Sequence, residues 1–167
     1  MLERLLKKIA VFVDVQNIYY TTRDTYGRQF NYRHLWKKIS EQGEIVLANA
    51  YAISRDDEQQ QKFQKALRYI GFDVKMKPFI QRSDGSAKGD WDVGITIDIM
   101  EAAQKVDTII LLSGDGDFAI LLDKVVQDFQ VQAQVYGVAA LTAQALIKSA
   151  SDYYQIDEQF LLWWREG

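Results

Sequence analysis

Asp115 and Asp117 stand two positions apart in Leu111-Leu112-Ser113-Gly114-Asp115-Gly116-Asp117-Phe118, directly after an apolar run. Carboxylates at the end of a buried strand are candidate ligands for a cation, although Asp and Gly also make ordinary turns and Asp caps helices. A second apolar run, Ile9-Ala10-Val11-Phe12-Val13, ends in Asp14 and is followed by Asn17. Asp92 falls on the first turn of a helical pattern that opens near Trp91. Asp98 lies close to two turns further on and shares only an approximate face with it, which makes it the weaker candidate. Asp90, one position outside that helix, reads first as an N-cap.

Gathering four carboxylates is unfavourable on its own, because two like charges at 4 Å repel by about 4 kcal/mol at an effective dielectric near 20. A divalent cation removes the objection. All-oxygen ligation without Cys or a His cluster favours Mg²⁺ or Mn²⁺ over zinc, as one or two ions. Such an ion can activate water, align it with a phosphodiester and neutralise phosphoryl charge, so hydrolysis of RNA or DNA is the natural chemistry.

The elements that must position these acids alternate between strand-length apolar runs and longer stretches of helical period. This is the signature of an α/β fold whose parallel sheet is covered on both faces. Strands are expected at Lys8 to Val13, Glu44 to Ile53, Asp73 to Ile80, Asp107 to Leu112 and Val131 to Tyr136. Pro78 costs the third a ladder hydrogen bond and sends it to the sheet border. Helices are expected at Gln16 to Tyr26, then after Asn31 with Leu35, Trp36 and Ile39 on one side, then from Asp56-Asp57-Glu58 to Gly71. That third helix has Phe63, Ala66, Leu67 and Ile70 as its inward stripe. Three more span Trp91 to Gln104, Asp117 to Asp128 and Leu141 to Lys148, the first packing through Val93, Ile97, Met100 and Ala103. Residues 81–90 read as a polar, mobile loop. In open parallel sheets functional groups collect beyond the carboxyl ends of the strands, where Asp14 and Asp115 stand.

At 167 residues the chain is expected to form one domain, with a core at about 8–150 and an apolar tail, 151–167, ending in Phe160-Leu161-Leu162-Trp163-Trp164. That tail either packs back or serves, with the other apolar terminal segment, as a homodimer contact. Without cysteine there are no disulfides and no thiolate chemistry. Met1 to Lys8 lacks the pattern of a signal peptide and no run is long enough to span a membrane, so a cytoplasmic setting is expected. The net charge of -3 hides segregation: residues 62–88 carry a local +5 and residues 90–128 a local -7. Solvated helix faces would explain this blandly; a basic track beside an acidic metal centre would explain it functionally.

The three segments Asp14-Val15-Gln16-Asn17, Lys88-Gly89-Asp90-Trp91-Asp92-Val93-Gly94 and Ser113-Gly114-Asp115-Gly116-Asp117-Phe118 together resemble the NYN domain in its LabA-like branch. The resemblance implies a PIN-like three-layer α/β/α fold with a central, mainly parallel five-stranded sheet of order 3-2-1-4-5, and a metal-dependent ribonuclease-type site. It points to Asp14, Asp92, Asp115 and Asp117 as the metal-binding acids and to Asn17 as a polar helper. Ser113 would orient the loop or contact phosphate, and Gly114 and Gly116 would permit close approach and unusual dihedrals. Lys88 and Arg82 of the basic stretch, with Arg23, are the candidate substrate contacts. Arg23 lies among Tyr19, Tyr20 and Tyr26, which either stack on unpaired bases or belong to the core. Trp91 either lines the site entrance or anchors its helix.

The leading expectation is a metal-dependent endoribonuclease acting on single-stranded or locally unpaired RNA. An RNA-binding or regulatory module of low activity, and a metal-dependent DNA nuclease or phosphatase, stay open as alternatives. Other chemistries lack their residues. His34 is the only histidine and has no evident partner for a serine triad, no Walker-type lysine follows a glycine array, and Gln16 replaces the second aspartate of a haloacid-dehalogenase nucleophile pattern.

Overall fold

The computed structural model describes residues 6–54, 57–78, 80–81, 87–88 and 90–163. Arg82 and the Lys88 side chain lie outside the described residues. Six strands form one sheet: β1 (Lys7–Asp14), β2 (Gly43–Ser54), β3 (Asp73–Pro78), β4 (Thr108–Leu112), β5 (Gln132–Gly137) and β6 (Asp152–Gln155). Their order is β3-β2-β1-β4-β5-β6 and every adjacent pair is parallel. The expected order 3-2-1-4-5 therefore holds, with a sixth strand added at the far edge and β3 at the near edge. A short antiparallel ladder, Ile80–Gln81 against Ala87–Lys88, occupies part of the expected polar loop.

Strand alternation divides the core in two. Ile9, Val11 and Val13 of β1 face α1 (Val15–Tyr26), α2 (Tyr32–Ser40) and α3 (Glu58–Ile70), packing with Ile18, Leu35, Ile39 and Leu67. Ala10 and Phe12 face the other way, with Ile109 and Leu111 of β4, against α4 (Asp92–Ala102), α5 (Ala119–Phe129) and α6 (Gln144–Ser149). Burial on both faces is why β1 and β4 read as unbroken apolar runs.

Several expected faces are corrected. On α4 the buried residues are Ile95, Ile99 and Ala102, while Val93 and Ile97 are 73% and 59% exposed. Of the expected stripe only its later members pack inward, Ala103 buried and Met100 against the edge of the core. On α3 only Leu67 is buried; Phe63 and Ala66 are exposed because this helix covers the sheet margin. The last helix begins at Gln144, preceded by a 3₁₀ turn at Ala139–Leu141. The tail packs back in part, with Phe160 and Leu161 buried and Leu161 bridging Phe30, whereas Trp163 is exposed under the Arg28 guanidinium.

The direction in which successive strands are added to the sheet reverses between β1 and β4. The first half winds outward through β2 and β3, and the second through β5 and β6, so the crevice at the carboxyl ends of β1 and β4 is the topological switch point.

Candidate metal centre

β1 runs without a loop into α1, so Asp14 is at once the last strand residue and the helix N-cap. Its Oδ1 accepts the Asn17 backbone N–H at 3.4 Å. The parallel register pairs Val13 with Leu112, which puts Ser113 opposite Asp14. The fully buried Ser113 hydroxyl donates to Asp14 Oδ2 at 3.1 Å and accepts the Asp115 N–H at 3.1 Å. Asn17 ties the two strand ends again, its Oδ1 accepting the Gly114 N–H at 2.9 Å.

Behind this loop runs the turn from Ala139 to Ala143. A Cβ on Gly114 would lie 2.5 Å from the Leu141 carbonyl oxygen, and one on Gly116 would lie 2.8 Å from Ala143 Cβ. These glycines are required by close packing alone. The expected unusual dihedrals are absent there, since the positive φ values among the described residues belong to Gly27, Gly71 and Gln130.

Asp115 accepts the Asp117 N–H at 2.9 Å and thereby caps the 3₁₀ turn Gly116–Phe118 that leads into α5. Capping falls to Asp115, and Asp117 projects exposed from the turn rather than starting the helix. Asp92 is the first residue of α4, fixed by the two residues before it. Asp90 accepts the Asp92 N–H at 3.2 Å, a structural role, although the N-cap position expected of it is taken by Trp91. The Trp91 indole donates to the Ala52 carbonyl at 2.9 Å and its ring lies 5.4 Å from that of Tyr51. A Cβ on Gly94 would come within 2.7 Å of that ring, so the W-x-x-G spacing is a packing requirement and Trp91 is an anchor.

Asp92, Asp115 and Asp117 each offer a carboxylate oxygen, and the three oxygens lie within 4.8 Å of one another. Asp14 adjoins this group without belonging to it, and raises the pKa of Asp92 through its charge. Burial pushes the Asp14 carboxyl up to about 6, with Asp115 and Asp90 adding to the rise while the bonds from Asn17 and Ser113 oppose it. Desolvation, followed by the charges of Asp115, Asp90 and Asp14 and a hydrogen bond with Asp115, raises Asp92 to about 7. Three helical N-termini, those of α1, α4 and the turn before α5, nevertheless converge here and offer positive dipole ends. A trio of oxygen donors in which the charge of Asp115 raises the pKa of Asp92 fits a hard divalent cation.

Asp98 belongs to a different network, accepting the Tyr51 hydroxyl at 2.7 Å and pairing with Lys75 at 3.3 Å. Ser113 is buried, so the expected phosphate contact gives way to a positioning role. Arg23 lies nine residues after Asp14 and roughly 13 Å along the helix axis, paired with Asp24 and lying over the Tyr19 and Tyr20 rings; it is not brought to the carboxylates. The Tyr26 hydroxyl donates to the Ile156 carbonyl, a structural role. His34 packs against Phe160 on α2, across the sheet from the acids.

The sequence profile of the NYN domain matches residues 8–157, most of the chain and every element that builds the centre. The chain belongs to the NYN family. This NYN domain is 29% identical over 155 residues to the low amplitude and bright protein LabA of Synechococcus elongatus, spanning 88% of this chain and 82% of that one. A Vibrio parahaemolyticus protein of unknown function, VPA0982, has a crystal structure that superposes with a TM-score of 0.91 at 49% identity, covering 97% of this chain and all of that one. Among the described residues of the NYN domain, no helix is long and apolar enough to cross a membrane.

Proposed function

We propose that this NYN domain is a metal-dependent endoribonuclease that hydrolyses single-stranded or locally unpaired RNA. The observation that carries this reading is the convergence of Asp92, Asp115 and Asp117 within 4.8 Å at the switch point of the sheet. These three residues would hold one or two Mg²⁺ or Mn²⁺ ions, with Asp14 beside them. The bound ion would supply Lewis-acid stabilisation of phosphoryl charge and a nucleophilic water at neutral pH.

The protein's own groups do the rest of the positioning. Ser113 and Asn17 hold the two strand ends in one geometry, so that Asp14 and Asp115 are presented as a pair. The helical N-termini around them add a favourable field for a phosphate once the carboxylate charge is matched.

The test is cleavage of an unstructured oligoribonucleotide by purified protein. Cleavage with Mg²⁺ or Mn²⁺, loss with chelator, and loss in Asp115→Asn are expected. Metal-independent cleavage, or none from the wild-type protein with either ion, overturns the reading.

A further inference from the structure

Strand β3 turns two lysines toward the carboxylates. Val74 and Met76 pack into the core under α1 to α3, so alternation sends Lys75 and Lys77 to the opposite face, the face of Asp14. The register aligns Asp14 with Tyr51 and Tyr51 with Lys75, and places Lys77 opposite Ile53. Two strand spacings separate β3 from β1, about 10 Å.

The two lysines differ in how their charge is met. Lys75 pairs with Asp98, which the Tyr51 hydroxyl also holds. Lys77 has no carboxylate partner among the described residues; its ammonium sits 4.8 Å from the centroid of the Trp91 ring. That ring is fixed by the Ala52 carbonyl, by Tyr51 and by the bare Cα of Gly94. Asp92, a member of the acidic trio, is the next residue after Trp91. A half-exposed cation with three donors is thus presented on a rigid aromatic platform, one residue from the metal-binding acids.

We propose that Lys77 is a substrate-positioning residue that takes the phosphate of a nucleotide flanking the reacting one, so that the strand enters the centre across β3. The assignment rests on the proposed ribonuclease reading. It gives Lys77 a role that Lys75, already neutralised, does not share.

The experiment measures binding of a short unstructured oligoribonucleotide with Mg²⁺ present, in the Asp115→Asn background so that the strand is not consumed, over a range of salt. Lys77→Met, which keeps the stem on Trp91, is expected to weaken binding roughly tenfold. It should also lower the slope of log affinity against log salt by about 0.7, the loss of one single-strand phosphate contact. Lys77→Arg restores both, and Lys75→Met leaves the slope unchanged. A Lys77→Met slope equal to that of its parent, equal slope losses for the two lysines, or no salt-dependent binding by the parent overturns the assignment. Failure of the wild-type protein to cleave is a separate outcome and strikes the ribonuclease reading instead.

Discussion

The Ser113 hydroxyl donates to Asp14 Oδ2 at 3.1 Å across the β1–β4 seam while accepting the Asp115 N–H at the same distance. One buried oxygen thus sets the separation of acids that belong to different halves of the chain. Ser113→Ala removes both bonds. Outer-shell partners of metal ligands are worth about 10- to 100-fold in metal affinity or activity, and a loss in that range is expected in cleavage. RNA binding measured without turnover should be unaffected. Unchanged cleavage would show that the seam is held by the strands alone.

The trio should respond unequally to removal of charge. Asp115 caps the 3₁₀ turn and its charge acts on the Asp92 carboxyl, whereas Asp117 is exposed. Asp115→Asn and Asp92→Asn are therefore expected to lower Mn²⁺ affinity more than Asp117→Asn. Calorimetric titration of the three variants ranks them, and an equal or reversed ranking argues against Asp115 as the central ligand.

Stability of the metal-free protein should fall as pH rises. Asp14 and Asp92 have folded-state pKa values near 6 and 7, above the ordinary 3.8, so each binds its proton more tightly when folded. Their stabilising contribution is complete below about pH 3.8 and is lost as pH climbs through those values. For Asp14 this amounts to at most about 3 kcal/mol. Thermal melts in chelator between pH 5 and 8 should show a declining midpoint, which Mg²⁺ or Mn²⁺ restores at pH 8. Melts of Asp92→Asn should decline less. A midpoint that rises across this window in the chelated wild-type protein contradicts the electrostatic picture.

Gly94→Ala tests the Trp91 anchor. The new Cβ would meet the indole at 2.7 Å, and overpacking of this kind costs about 1–3 kcal/mol. Denaturant melts should register that loss. Cleavage should fall as well, because displaced Trp91 carries Asp92 with it. A variant as stable as the wild-type protein would show that the ring has room to move.

The centre was largely legible from sequence because its chemistry sits where pattern changes abruptly. In β1 the buried apolar run stops at Asp14 and in β4 it gives way to the Ser113-Gly114-Asp115 turn, and strand pairing alone then brings Asp14 opposite Ser113. Pro78 likewise announced the border position of β3. What failed was the choice of face on α4, where Val93, Ile95, Ile97 and Ile99 alternate and leave the helix apolar around much of its circumference. Only the sheet decides which stripe is buried. Strand β6 was missed because Asp152–Gln155 is short and mostly exposed, with none of the apolar density of the inner strands. The Lys77–Trp91 contact joins residues fourteen positions apart on different elements and could not be read from spacing.

The seam between β1 and β4 also orders events in time. Asp14 and Ser113 are separated by 99 positions, and Asn17 and Gly114 by 97. Ribosomes add about 5–20 residues per second, so Asp14 waits roughly 5–20 s for its partner to be synthesised. A nascent chain that has produced only β1 to β3 lacks Asp92, Asp115 and Asp117 altogether. The acidic trio therefore exists only once the chain has been made through Asp117, and its assembly reports that both halves of the sheet have met.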